Sequence, residues 1–295
     1  MKKFFVFAAI AALALAACTK PNGQEEQKDN TPKVETCAEN LVAHFPLESA
    51  DNAVKAEGIT FASKAGAADF GTGEIGKGYT NTAGNNSESY LKFNLAKDNA
   101  ISKLENVTIT MWIKNIEEFQ KGGLLSANGK LFPTQDWPSF VMMFDNKNTV
   151  KDESGADTGV KTQQINGRIM FKTADEKETN LWLDTWDPAF AKYATWSQIA
   201  FTYEAATGAW VLYVDGVKVK EAEYGDKMPF GKCIPADANA LYLGGWSSWI
   251  ESYQGAADWQ TFFAGSIDEI RIFDKALSEQ EIQELRKEEL KIALS

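Results

Sequence analysis

Trp246, Trp249, Tyr253 and Trp259 crowd one polar, glycine-containing stretch, and Trp137, Trp182 and Trp186 form a second set beside Gln135, Asp136, Asp184 and Asp187. Flat indole faces stack on the C–H surfaces of sugars while nearby amides and carboxylates meet the hydroxyls, so both sets have the composition of a carbohydrate site. Such rings also anchor protein partners. Trp112, Trp196 and Trp210 lie in predicted strands and read as packing residues.

Catalysis has less to draw on. A retaining glycosidase needs two carboxyl groups about 5–5.5 Å apart, and the nearest candidates are Asp268 and Glu269. Adjacent residues of a strand point to opposite faces, which sets these two apart. His44 is the single histidine and no C-x-x-C occurs, which argues against a zinc centre and a histidine-dependent triad. The expectation is a binder, not an enzyme.

The elements that must carry these residues are short strands. Val107, Ile109, Met111 and Ile113 alternate with Thr108, Thr110, Trp112 and Lys114, giving one continuous apolar face. Residues 196–203 and 210–215 form two more strands, joined at Glu204-Ala205-Ala206-Thr207-Gly208. Asp215-Gly216 makes a two-residue hairpin turn, and Asn166-Gly167 is read the same way. Strands are not interleaved with helices, so the sheets should be antiparallel. Ser278 with Glu281 has the form of a capping box, opening a C-terminal helix with Ile282, Leu285, Leu290 and Ile292 on its apolar side.

The first residues have a different logic. Lys2 and Lys3 precede an apolar run over residues 4–15, then Ala16, Ala17 and Cys18. That is the order of a signal peptide, and the run falls short of the roughly 20 residues that span a bilayer. Leu15-Ala16-Ala17-Cys18 resembles the lipobox of bacterial lipoproteins, which implies cleavage before Cys18 and lipid on its thiol and amino groups. Thr19 in place of an aspartate favours the outer membrane of a Gram-negative cell, with the cell surface as one face. The next stretch is polar and cannot bury enough to fold, so it reads as a tether. The boundaries are therefore signal peptide 1–17, lipidated Cys18 with tether to 37, and one domain over 38–295. Cleavage removes two lysines and takes the formal charge from −11 to −13. Nucleic acid is excluded as a partner on that ground, and the membrane is met through lipid alone. Outside the cytoplasm Cys37 and Cys233 can oxidise to a disulfide; the spacing leaves that and two separate thiols both open.

Within the domain, Trp196-Ser197-Gln198-Ile199-Ala200-Phe201-Thr202-Tyr203, Leu212-Tyr213-Val214-Asp215-Gly216, Leu241-Tyr242-Leu243-Gly244-Gly245, Phe263-Ala264-Gly265-Ser266-Ile267-Asp268-Glu269-Ile270-Arg271-Ile272-Phe273 and Ala276-Leu277-Ser278 resemble, in order, the markers of laminin-G-like, concanavalin A-like domains. Leu41-Val42-Ala43-His44-Phe45 resembles their opening strand, whereas residues 146–187 are longer and more polar than the family's core requires. The resemblance implies an all-β, two-sheet antiparallel jelly-roll sandwich with a short C-terminal helix. It also implies a structural calcium held by Asp268 with Glu48 and Asp51, a hard cation seeking six to eight oxygens. Glycoside hydrolases share the fold, but their Glu-x-Asp-x-x-Glu strand has no counterpart here. The function expected is a lipid-anchored, lectin-like binder of a glycan; a surface adhesin or assembly component that binds protein is the alternative.

Overall fold

The computed structural model describes residues 34–116, 121–185, 194–225, 227–254 and 259–294. The strands are, in chain order, β1 (Leu41–Phe45), β2 (Lys55–Ala56), β3 (Ile59–Gly66), β4 (Asp69–Thr72), β5 (Lys77–Asn81), β6 (Ser89–Leu95), β7 (Val107–Asn115) and β8 (Gly122–Ala127). They continue with β9 (Phe140–Lys151), β10 (Asp157–Lys172), β11 (Glu178–Thr185), β12 (Ser197–Glu204), β13 (Ala209–Val214), β14 (Val217–Glu223), β15 (Ala240–Leu243), β16 (Thr261–Phe262) and β17 (Gly265–Phe273). The described residues also form two α-helices, α1 (Ser247–Ile250) and α2 (Glu279–Ala293), and short 3-10 turns.

The strands build two sheets. The first runs β14-β13-β12-β7-β17-β1-β2, with β5 beside β17 and β4 beside β5; the second runs β11-β10-β9-β8-β15-β6-β3, with β16 on β8. Pairing is antiparallel except between β16 and β8. This is the two-sheet sandwich expected, and the period-two pattern is its cause. Val107, Ile109 and Met111 of the first sheet, with Phe140, Met142, Ile169 and Leu181 of the second, are all at most 1 % exposed and meet in one core. Asp215 and Gly216, at φ 50° and 80°, make the primed turn between β13 and β14.

Asn166-Gly167 turns out differently. It lies inside β10, where Asn166 pairs with Met143 and Asp184 and Gly167 with Met142 and Leu183. Its glycine provides space instead of a turn: a Cβ there would stand 2.6 Å from the Trp210 ring and 2.8 Å from Phe201. Pairing on both sides outweighs a local turn signal, and the long polar region becomes the β9–β10–β11 extension of the second sheet.

Each outer face is covered by something different. Helix α2 lies over the first sheet, where Ile282 and Leu285 pack with Ala200, Tyr213, Phe273 and Leu277. Its start is the capping box, Ser278 accepting the Glu281 amide and Glu281 the Ser278 amide. Packing begins earlier than residue 38: the amides of Glu35 and Thr36 donate to Glu288 at 2.8 and 3.0 Å, and Val34 and Cys37 lie against the helix cluster. Cys37 and Cys233 are free thiols in separate clusters, so the disulfide is not formed. Cys37 donates to Glu281, while Cys233 is fully buried in the main core. Cys18 lies outside the described residues.

Candidate functional site

The second sheet turns its outer face toward tryptophan. Val141, Arg168 and Trp182 are register partners on β9, β10 and β11. Alternation sends them to the face opposite the core-facing Phe140 and Leu181. Trp137 arrives from the β8–β9 connection, and Trp246 and Trp259 from the segment between β15 and β16. The sets that are far apart in sequence thus become one cluster: Trp137 has ring centroids 5.5 Å from Trp182, 5.3 Å from Trp246 and 5.2 Å from Trp259. What joins them is the adjacency of β9, β8 and β15, a long-range pairing.

The rings do not form a flat platform. Their planes cross at 78°, 82° and 87° in the Trp137–Trp182, Trp137–Trp246 and Trp246–Trp259 pairs. Edge-to-face contact is the geometry the aromatic quadrupole prefers. Trp246 is the inner member, 1 % exposed, with its indole N–H donating to the Lys121 carbonyl at 2.6 Å. It is a packing residue, contrary to the sequence expectation of an open ring. Trp137, Trp182 and Trp259 are half-buried and keep part of their surface open. Trp249 is 38 % exposed and makes no ring contact with the others among the described residues. Tyr253, half-buried, donates to the Gly129 carbonyl at 2.9 Å, and burial first of all pushes its phenol up to about 12. Trp186 and the side chain of Asp184 lie outside the described residues. Of the supposed packing tryptophans, Trp112 and Trp210 are buried at 1 % and 0 %, but Trp196 is half-buried.

Sequence reasoning missed the cations of this face. The Arg168 guanidinium lies 5.2 Å from the Trp137 ring centroid and 5.0 Å from that of Trp182. It donates to Asn180 Oδ1 through Nε at 3.0 Å and Nη2 at 2.6 Å, and stands 3.8 Å from Glu178. Desolvation lowers it to about 10 against the pull of Glu178 and Asp136. Lys121 is 4.6 Å over Trp259 and 3.4 Å from Asp145, which also accepts from Asn166 at 3.0 Å. The available signal was Arg168 itself, a charge at an alternating position opposite a tryptophan. The partly open rings, edged by amides and carboxylates, can accept the C–H faces and hydroxyls of a saccharide.

The acids near the last strand form a second centre. Glu269 has φ 48°, and the β17–β7 register shifts between Asp268 and Arg271. This bulge breaks the alternation assumed from sequence. Asp268, paired with Trp112, and Glu269, bonded to Arg271, both emerge on the outer face of the first sheet. They are buried at 0 % and 4 % exposure, however, and already engaged. Asp268 accepts the amides of Ile75 and Glu269 at 2.9 and 2.8 Å, and Glu269 meets His44 at 2.7 Å and Arg271 at 2.5 Å. The exclusion of a retaining pair by opposite facing therefore fails, while burial and these bonds leave neither carboxylate open.

Glu48 shares the Asp268 locality. It accepts the Lys77 amide at 3.2 Å, and the glycines of the 73–76 loop press on both acids. A Cβ on Gly73 would fall 2.4 Å from Asp268 Oδ2, and one on Gly76 2.2 Å from Glu48 Oε1. Burial, then Glu269 and more weakly Glu48, pushes Asp268 up to about 9 against its backbone donors. Asp51 is exposed in the Ala50–Asn52 turn, and among the described residues no three His, Cys, Asp or Glu side chains are gathered as a metal site.

A two-layer antiparallel sandwich with an aromatic cluster on one outer face is the architecture of a lectin-like domain. The chain belongs to the concanavalin A-like lectin/glucanases superfamily, whose family model matches residues 84–283. A curated relative, the Rattus norvegicus "Sushi, von Willebrand factor type A, EGF and pentraxin domain-containing protein 1", is 29 % identical over 133 residues, or 45 % of this chain and 3 % of that protein. Among solved structures, the receptor binding domain of botulinum neurotoxin mosaic serotype C/D superposes with a TM-score of 0.52 at 14 % identity, over 84 % of this chain and 50 % of that one. The serotype D ligand binding domain in complex with N-acetylneuraminic acid gives 0.50 at 13 %, over 84 % and 50 %. At such identities the likeness is one of fold, and this chain spans about half of either neurotoxin domain.

Proposed function

We propose that the domain binds a glycan without catalysis, at the outer face of the second sheet, and that it is displayed as an exported outer-membrane lipoprotein anchored through Cys18. One observation carries the reading: two sequence-distant tryptophan sets converge into one cluster whose Trp137, Trp182 and Trp259 remain partly open beside Asn180, Asn166 and Asp145. Packing alone would explain Trp246, but not three large apolar rings left at the surface. Other chains of this fold bind sugars, among them the neurotoxin domain solved with N-acetylneuraminic acid. The test is retention on a broad glycan array. The Trp137→Ala/Trp259→Ala double variant, shown to be folded by circular dichroism, should lose about tenfold or more in affinity, since one sugar-stacked ring contributes on the order of 1 kcal/mol. Unchanged retention on every glycan removes these rings from the site. Trp249, exposed and set apart, favours a protein contact as the second reading; a folded Trp249→Ala variant that loses cell-surface adhesion while keeping glycan retention supports it.

Calcium belongs to the same proposal, now narrowed to Asp268 and Glu48. Two carboxylates converging on one loop suit an oxygen-seeking cation, whose charge would offset the burial, and after it the Glu269 and Glu48 charges, that now favour a proton on Asp268. The sign follows from linkage. An Asp raised to about 9 from 3.8 holds a proton that the unfolded chain releases, so its stabilising contribution is complete below pH 3.8 and drains away as pH rises through 9. In chelator, the melting temperature should therefore fall between pH 6 and 9 more steeply for the wild type than for Asp268→Asn. Added calcium should restore the wild type at pH 8 and leave the variant unmoved. A melting point indifferent to both pH and calcium discards this part.

A further inference from the structure

Away from the tryptophan face, a cavity of about 420 Å³ opens at one end of the sandwich, between the Ile101–Lys103 and Phe230–Cys233 turns. Lys97, Lys103 and Lys232 line it against a single acid, Asp98, and Leu131 and Ile234 form apolar wall. All three lysines are exposed and none forms an ion pair with a described residue. The chain as a whole carries a net charge of −11, so a concavity with three lysines and one acid runs against the balance of the surface. Three like charges around one concavity repel one another, and the low-dielectric wall strengthens the field they cast into it. The walls are also well built. The buried Asn99 side chain accepts the amides of Ile101 and Ser102 at 3.0 Å each and donates to Ala96, and the Gly231 amide donates to Leu104 at 2.7 Å, tying the two turns together.

We infer that this cavity is an anion-binding subsite for a sulfate or phosphate group, borne by a saccharide or free in solution. Such a group offers three or more acceptor oxygens to three separate ammonium donors, which a single carboxylate does not. Volume permits a sugar ring to accompany it, with Leu131 and Ile234 against the ring. The Gln135 side chain accepts the Leu131 amide at 2.8 Å and donates to the Trp137 carbonyl at 2.6 Å, so one loop frames both this cavity and the tryptophan cluster.

The experiment is calorimetric titration of the full folded domain with inorganic sulfate, inorganic phosphate, a sulfated disaccharide and the same disaccharide without sulfate. The comparison protein is the Lys97→Gln/Lys103→Gln/Lys232→Gln variant, whose exposed positions leave the fold intact. Expected is binding of the sulfated sugar at least about tenfold tighter than of its unsulfated form, weakening with added salt, and a loss of about a hundredfold in the variant. Inorganic ions that bind as tightly as the sulfated sugar support the site and assign it to the free ion. Absence of binding by every anion, or equal binding by wild type and variant, overturns it. Trp137→Ala/Trp259→Ala should leave this titration unchanged while weakening retention of unsulfated glycans on the array about tenfold or more, so the two sites fail separately.

Discussion

Glu289→Ala should lower the stability of the domain by about 3–5 kcal/mol, the cost of removing one partner from a buried charge pair. Glu289 is 1 % exposed on the inner side of α2. Its carboxylate accepts from the Trp112 indole at 2.7 Å and from Gln198 Nε2 at 2.6 Å, and it pairs with Arg271. Truncation leaves the guanidinium, an indole N–H and an amide without that acceptor beneath the helix. Arg271 would retain only Glu269, which it already shares with His44. Burial pushes Glu289 up while Arg271 opposes it, so Glu289→Gln, which keeps an acceptor oxygen and loses the charge, should cost less than alanine. Urea titrations with an unchanged slope would register both effects as midpoint shifts. The Arg271→Met/Glu289→Leu double variant should recover part of the loss, because no guanidinium is then left without Glu289, while Glu269 keeps His44 as its partner. Equal losses in single and double variants would show that shape, not the ion pair, governs this contact.

Glu289 also marks how far a sequence can be read. Ile282, Leu285 and residue 289 follow at intervals of three and four, so the helix stripe was legible, yet its third member is a carboxylate where Leu290 looked the better candidate. The strands were legible for a related reason: alternation over residues 107–113 is local and became β7, and residues 41–45, read by resemblance, became β1. Local rules failed where neighbouring strands impose their own demands. Asn166-Gly167 has the composition of a turn, but β9 and β11 claim it from both sides and Trp210 needs the missing side chain. Asp268-Glu269 breaks alternation through a single left-handed residue in a bulge. The candidate site was half legible. Its residue types were evident, but their union depends on sheet order, and no spacing in the chain says that Trp137 will touch Trp246 and Trp259.

Arg168→Leu should cost the domain about 2–4 kcal/mol and should weaken glycan retention beyond what that instability explains. Two cation–π contacts in a desolvated setting are worth about 1–2 kcal/mol each, and loss of the guanidinium also strips Asn180 of the two donors it accepts. More consequential is geometry. Arg168 is 5 % exposed and lies against both Trp137 and Trp182, which touch each other, from a strand position fixed by pairing. The two rings are therefore held by a residue that scarcely reaches solvent and positions the surface a ligand would meet. Leucine covers less of both rings and offers no donor, so the rings should lose their fixed mutual angle. Lysine keeps the charge without the planar fork, and should restore stability in part but not the ring geometry. Near-ultraviolet circular dichroism reports that geometry directly, because coupled indoles 5.5 Å apart at 78° are strongly chiral. Arg168→Leu and Arg168→Lys should both flatten the tryptophan signal, with retention falling in proportion to it. If retention instead follows only the folded fraction, Arg168 is a structural residue of the second sheet and the rings keep their places without it.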